Sequence, residues 1–304
     1  MAARILRFGN AGPDSTPHPA ARRIRPVTSR RVPDTVWATG AWHDAVMAEF
    51  ETLLAEVDGR IGRLTLNRPE KLNPLGVRAL QEIAEAARWF DTTEASVVVV
   101  SGAGRGFSSG FDLREFGDGG SSGVSGRDQV DLGRRMAESL DRMNALTIAA
   151  VRGPCIGGGL VLASACDLRI AADDAVFAIP EVDLGIPLTW GAIPRLVREI
   201  PPVIVRELVL TCRRFDAEEA RSIGLLNRVV PEDRLDEEVA TLAIELAAKA
   251  PSVVTATKRQ VHEALEDMAS TTGAWAETDL LGAALRDPAA REAAQQYLAR
   301  RDRA

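Results

Sequence analysis

The spacing of apolar residues changes period several times along this chain, and each change predicts an element. Phe50 to Val57 and Ile61 to Leu66 flank Asp58-Gly59, a favoured two-residue turn, and predict a β-hairpin. Val77, Leu80, Ala84, Ala87 and Phe90 recur at helical spacing, so Ala79 to Phe90 reads as an amphipathic helix. Asn73 is placed to cap that helix, with Pro74 at its first position. Val97 to Val100 is an unbroken valine run, the pattern of a strand buried on both faces. This strand-strand-helix-strand order predicts a layered α/β fold. Leu132, Met136, Leu140 and Met143 form a helical stripe that faces a core. Thr147 to Val151, Asp167 to Ala171, Ala175 to Phe177 and Leu225 to Val230 read as further strands. Asp216 with Glu219 starts a helix that Gly224 stops.

From Arg234 the pattern is helical throughout: Leu235 to Lys249, Ser252 to Met268, a segment around Trp275 to Leu285, and Pro288 to Arg301. The change from mixed to all-helix places a boundary near Pro251, giving a core over 47–250 and a helical subdomain over 251–304. Residues 1–46 stand apart. They carry Arg4, Arg7, Arg22, Arg23, Arg25, Arg30 and Arg31 against Asp14, Asp34 and Asp44, with scattered prolines and no sustained period. That composition suits a disordered extension, a transit peptide or a basic tail. The simplest reading is an early start site, because Met47-Ala48-Glu49-Phe50 looks like a natural beginning.

Composition narrows the function classes. A chain of 304 residues with 46% hydrophobic content buries a large core. Its net charge of −6 gives no whole-chain case for nucleic-acid binding. Cys155, Cys166 and Cys212 are odd in number and lack paired spacing, which points away from a disulfide framework or a zinc site and suits a cytoplasmic protein. No apolar run approaches the roughly 18 residues of a membrane span. The three histidines, His18, His43 and His262, fall in the extension or on a polar helix face. No Ser-His-Asp triad or metal-ligand cluster emerges.

The chemistry concentrates in two glycine-rich turns. Val151 to Asp167 carries an apolar strand through Gly153-Pro154 into Gly157-Gly158-Gly159 and then a small-residue helix. Amides exposed there, at a helix start, favour negative charge, either a phosphate or a thioester oxyanion. The spacing is neither a dinucleotide fingerprint nor a P-loop. The valine run ends in a second such turn, Ser101 to Leu113, in which Ser108-Ser109-Gly110-Phe111-Asp112 leaves another amide available. Each turn has one N–H to offer the same oxygen. Phe116 to Gly126, glycine- and serine-rich, follows as a mobile loop beside that site.

With Leu66-Asn67-Arg68-Pro69-Glu70-Lys71-Leu72-Asn73, these turns resemble the crotonase family, the enoyl-CoA hydratases and isomerases, over about Phe50 to Arg301. The resemblance implies a crotonase-like spiral of ββα units, and a C-terminal helical subdomain packed against neighbouring subunits in a homotrimer or hexamer. It implies an acyl-CoA thioester substrate, with coenzyme A entering only as part of that substrate and no other cofactor. It assigns the oxyanion hole to the amides of Phe111 and Gly158, with Ser109, Gly110 and Gly157 in the same turns. Family hydratases use two glutamates. Here the first position is Val161, and the second is Glu181, after Pro180 in an apolar setting that raises a carboxyl pKa. Glu181 alone suits movement of a double bond from Δ3 to Δ2 better than hydration. Leu160 and Val161 resemble the apolar pair of mitochondrial-type isomerases, and Asp183 reads as a solvated or capping residue in preference to a second acid.

Lys71, Leu72 and Asn73, with Asp112, sit where the family binds the adenine side of CoA, and Lys258 where it contacts phosphate. The loop Pro187-Leu188-Thr189-Trp190-Gly191-Ala192 departs from the family's Pro-Gly-x-Gly-Gly, and Trp190 is a candidate lining of the acyl tunnel. Three rivals stand beside this reading: hydration by Glu181 alone or another crotonase reaction such as thioester hydrolysis, a non-catalytic acyl-CoA binder, and a basic extension serving RNA or membrane. The last is checked by removing residues 1–46: acyl-CoA affinity and its salt dependence are expected to stay unchanged, whereas a shallower salt slope would give the extension a binding role.

Overall fold

The structure, a computed structural model, describes residues 45–115 and 126–301. The extension up to residue 44 and nearly all of the predicted loop at 116–126 therefore lie outside the described residues. Ten strands and ten helices are assigned within them: β1 (Val46–Glu49), β2 (Leu53–Asp58), β3 (Ile61–Leu66), α1 (Val77–Phe90), β4 (Val97–Gly102), α2 (Gly126–Asp141), β5 (Leu146–Val151) and β6 (Pro154–Ile156). The chain continues through α3 (Gly158–Ser164), β7 (Leu168–Ala172), β8 (Val176–Ala178), α4 (Ala192–Glu199), α5 (Pro202–Thr211), β9 (Phe215–Asp216), α6 (Ala217–Ser222) and β10 (Arg228–Val230). It ends in α7 (Leu235–Ala247), α8 (Pro251–Met268), α9 (Glu277–Arg286) and α10 (Pro288–Arg301).

The chain spirals between two sheets. The larger has the order β1-β2-β3-β4-β5-β7-β10, antiparallel up to β3 and parallel beyond. The smaller, β6-β8-β9, forms a second floor. After β5 and again after β7, the chain leaves the large sheet for a short strand of the small one. The valines of β4 explain why this sheet sits at the centre. Val98 and Val100 face the main core with Leu80, Ile83 and Phe90 of α1, while Val97 and Val99 face Leu235, Val239 and Ala243 of α7. Each such side chain stabilises the fold by about 1.5–3 kcal/mol relative to exposure. A polar residue anywhere in this run would therefore strand itself on one face or the other.

Three local expectations are corrected. The hairpin turn is Gly59-Arg60, because Asp58 pairs with Ile61 and belongs to the strand. Two helices, α4 and α5, were not anticipated; each carries a proline within its first turn, where a missing N–H costs little. Asn73 does not cap α1. The N-cap is Gly76, and Glu115 Oε2 accepts from the Val77 amide at 2.7 Å. Asn73 instead adopts φ 52° and is 1% exposed. Its Oδ1 accepts from Arg68 N at 2.9 Å, and its Nδ2 donates to Ala103 O and Gly106 O, each at 2.9 Å. It thus ties the segment after β3 to the turn after β4.

Replacing that brace strands buried backbone groups on both segments. Asn73→Ala is expected to destabilise the protein by about 2–4 kcal/mol, read as a lower urea midpoint. A shift below about 0.5 kcal/mol would show the brace to be idle.

Candidate active site

The two glycine turns meet across the interface of the two sheets. Ser108 bridges to Cys155: the Ser108 amide donates to Pro154 O and the Ile156 amide to Ser108 O, each at 3.0 Å. Leu75 N donates to Gly110 O at 2.8 Å, fixing the far side of the first turn. Gly110 has φ 86°, and a Cβ there would lie 2.7 Å from Ile156 O and 3.4 Å from Gly158 N. A Cβ on Gly158 would in turn lie 3.5 Å from Phe111 N. The amide nitrogens of Phe111 and Gly158 therefore border one small space. Gly158 opens α3, and the first amides of a helix have no acceptor within it.

Glu181 follows β8 through Ile179-Pro180 and is held by a tight turn in which Ile186 N donates to Glu181 O at 3.0 Å. The residue as a whole is half-buried, but its carboxyl end is enclosed, and Oε2 has no hydrogen-bond partner among the described residues. Gly157, at φ 50°, makes room for it: a Cβ there would lie 2.5 Å from Glu181 Oε1. Burial without a compensating partner pushes the carboxyl up to about 7, against a smaller opposing effect of its own backbone amide. Val161, in the first turn of α3, is buried and lines the same cavity with hydrocarbon alone.

That cavity measures about 890 Å³. Of the residues expected from sequence, Lys71, Leu72, Ser109, Gly110, Phe111, Asp112, Gly157, Gly158, Val161, Glu181 and Trp190 all line it. Lys71 is exposed at its rim. Burial alone would raise the Asp112 carboxyl, but hydrogen bonds and charge from Arg114, with the charge of Arg68, hold it below the ordinary carboxylate range. Trp190 is 6% exposed and sits at φ 66°, a left-handed conformation that costs a bulky residue about 1–3 kcal/mol. Its ring meets Phe111 edge-on, with centroids 6.0 Å apart. Asp183 also lines the cavity, though it is exposed.

Two expected residues do not belong. Asn73 spends its side chain on backbone, as described above. Lys258 lies in a different cavity, between α8 and the core, and its side chain is 4% exposed. Its ammonium pairs with Asp167 at 2.8 Å and donates to Ala145 O at 2.9 Å, so it has no charge to spare for a phosphate. Sequence reasoning missed Leu281 of α9 and Tyr297 of α10, which line the cavity from the C-terminal helices of the same chain. Tyr297 is the one tyrosine in the sequence, but nothing in its local spacing separates it from a packing aromatic.

The fold is a layered α/β spiral in which two glycine turns flank an enclosed carboxyl, and similarity to known proteins supplies the family. The enoyl-CoA hydratase/isomerase family model matches residues 56–304, and the chain belongs to that family. It is 36% identical over 222 residues to a Mycobacterium bovis protein described as "Probable enoyl-CoA hydratase echA8", covering 73% of this chain and 85% of that one. It is 35% identical over 221 residues to the peroxisomal Δ(3,5)-Δ(2,4)-dienoyl-CoA isomerase of Arabidopsis thaliana, covering 69% and 80%. The crystal structure of an enoyl-CoA hydratase from Mycobacterium avium subsp. paratuberculosis K-10 superposes with a TM-score of 0.74 at 26% identity, covering 82% of this chain and 99% of that one.

The Glu181 environment makes a prediction about stability. Its folded value, about 7, lies above the ordinary 4.5, so the folded state holds the proton more tightly. The stability this contributes is complete below the unfolded value and is lost as pH rises through the folded one. Glu181→Gln should therefore gain stability relative to wild type between pH 5 and pH 8, by on the order of 2–3 kcal/mol. Thermal melts at the two pH values check it, and a pH-independent difference would contradict it.

Proposed function

We propose that the protein moves a proton beside the thioester of an acyl-CoA, and that it favours Δ3 to Δ2 enoyl-CoA isomerisation over hydration. The observation that carries this reading is the enclosed carboxyl of Glu181, its Oε2 without a partner among the described residues, in the cavity that the Phe111 and Gly158 turns line, with Val161 where family hydratases hold a second glutamate. The thioester oxygen binds between the two amides. Ionised Glu181 takes the proton from carbon 2, and the electron pair passes onto that oxygen as an enolate. The same carboxylic acid then delivers the proton to carbon 4, which leaves the double bond between carbons 2 and 3. No water is consumed. Preset donors stabilise the enolate more than the neutral thioester, and losing one typically costs about 10²–10³ in rate. A carboxyl that titrates at about 7 serves both as base and as acid near neutrality.

Lys71 and Leu72 at the rim, with Asp112, are proposed to receive the adenine side of coenzyme A, and the active form is proposed to be a trimer or hexamer. Hydration with Glu181 as the principal acid/base is the second reading. Asp183 at the cavity wall and the hydratases among the relatives favour it.

Separate incubation with 2-enoyl-CoA and 3-enoyl-CoA discriminates them. The expected result is rapid conversion of the 3-enoyl thioester, slow hydration of the 2-enoyl thioester, and loss of both by at least about 10²-fold in Glu181→Gln. Wild-type kcat/KM should rise with pH through about 7 as Glu181 ionises. Hydration without isomerisation would select the second reading, and equal activity in the variant would remove Glu181 from the mechanism.

A further inference from the structure

We infer that Trp190 sets the length of acyl chain this site accepts, and that the preferred substrates are short-chain acyl-CoAs. The inference rests on the acyl-CoA reading of the cavity. Its starting point is an unusual placement. Trp190 holds a backbone conformation suited to glycine, and three hydrogen bonds keep the turn there, one to α9 and two from Arg195 five residues on. Gly191 N donates to Glu277 Oε2 of α9 at 2.9 Å, and Arg195 Nη1 of α4 donates to Trp190 O at 3.0 Å and Gly191 O at 2.9 Å. Arg195 is itself paired with Asp141 at the end of α2. Strain of this kind persists only where the surroundings over-determine it, and it concentrates at functional sites.

The indole that results is wedged between two glycine backbones. A Cβ on Gly158 would lie 2.6 Å from its six-membered ring, and a Cβ on Gly133 of α2 would overlap its five-membered ring outright. The ring thus fills the gap between α2 and the start of α3, against the residue whose amide is proposed to bind the thioester oxygen. In this reading, a chain that runs from that carbonyl towards α2 meets the indole, which already fills that side of the cavity. Phe111, edge-on to the same ring, closes the adjoining side. Simple packing would not require this arrangement, because an ordinary buried aromatic fills space without a left-handed backbone or facing glycines.

Trp190→Gly is the informative variant, since glycine adopts φ 66° freely and only the ring is lost. The experiment measures dissociation constants of butyryl-, hexanoyl-, decanoyl- and dodecanoyl-CoA, and kcat/KM for the corresponding Δ3-enoyl thioesters, in wild type and variant. Wild type should bind decanoyl-CoA at least about tenfold more weakly than hexanoyl-CoA, and Trp190→Gly should shift that ratio by about tenfold or more towards the longer chain. A wild-type affinity that improves steadily with chain length, or a variant with the wild-type profile, would overturn the inference. Should Trp190→Gly not fold, the wild-type profile decides, with Trp190→Phe expected to lie between. Absence of binding to every acyl-CoA would instead defeat the functional reading on which this one stands.

Discussion

An enclosed carboxyl group, one oxygen of which has no hydrogen-bond partner among the described residues, is the constraint around which the rest of this site is arranged. Leaving a charged Glu181 in such a place is costly, and the group answers by holding its proton up to about 7. The enclosure exists because Gly157 has no side chain: any Cβ at that position would collide with Glu181 Oε1. Gly110 and Gly158 extend the same economy of space, letting the turn after β4 and the start of α3 approach to backbone contact. Small residues here do not confer flexibility. They allow three rigid segments to share one point.

The two sheets supply that rigidity. β4 and β5 lie in parallel register in the large sheet, so the turns that leave their ends emerge side by side. The Ser108 to Cys155 bridge then fixes one turn against the other, and Asn73 fastens the first to the segment after β3. Glu181 arrives from β8, which is paired with β6 on the second floor. The Phe111 and Gly158 amides and the Glu181 carboxyl therefore come from neighbouring strands of one framework, which holds their relative positions rigidly.

Much of this was legible in the residues. The four valines of β4 announced a central strand because a short β-branched run without alternation suits a strand covered on both faces. The triple glycine marked its turn because backbone amides lie open there, and the family resemblance pointed to Glu181 after Pro180, whose carboxyl the fold encloses. What escaped has a common physical cause. Asn73 and Lys258 match family positions by type, yet their side chains are consumed by backbone carbonyls and by Asp167, partners that only the tertiary fold brings near. Leu281 and Tyr297 reach the cavity from helices far along the chain, and the departure at Trp190 was visible without its left-handed backbone or its contact with Gly133. Local pattern reports elements and turns; it is silent about long-range satisfaction of polar groups.

The central claim concerns one proton, and it can be observed directly. Carbon-13 labelling of glutamate side chains, with Glu181→Gln to assign the resonance, follows the Glu181 carboxyl through a pH titration of the folded protein. The account predicts a midpoint at about 7. A midpoint at the ordinary glutamate value of 4.5 would mean that the carboxyl is solvated, and the account would be contradicted at its base.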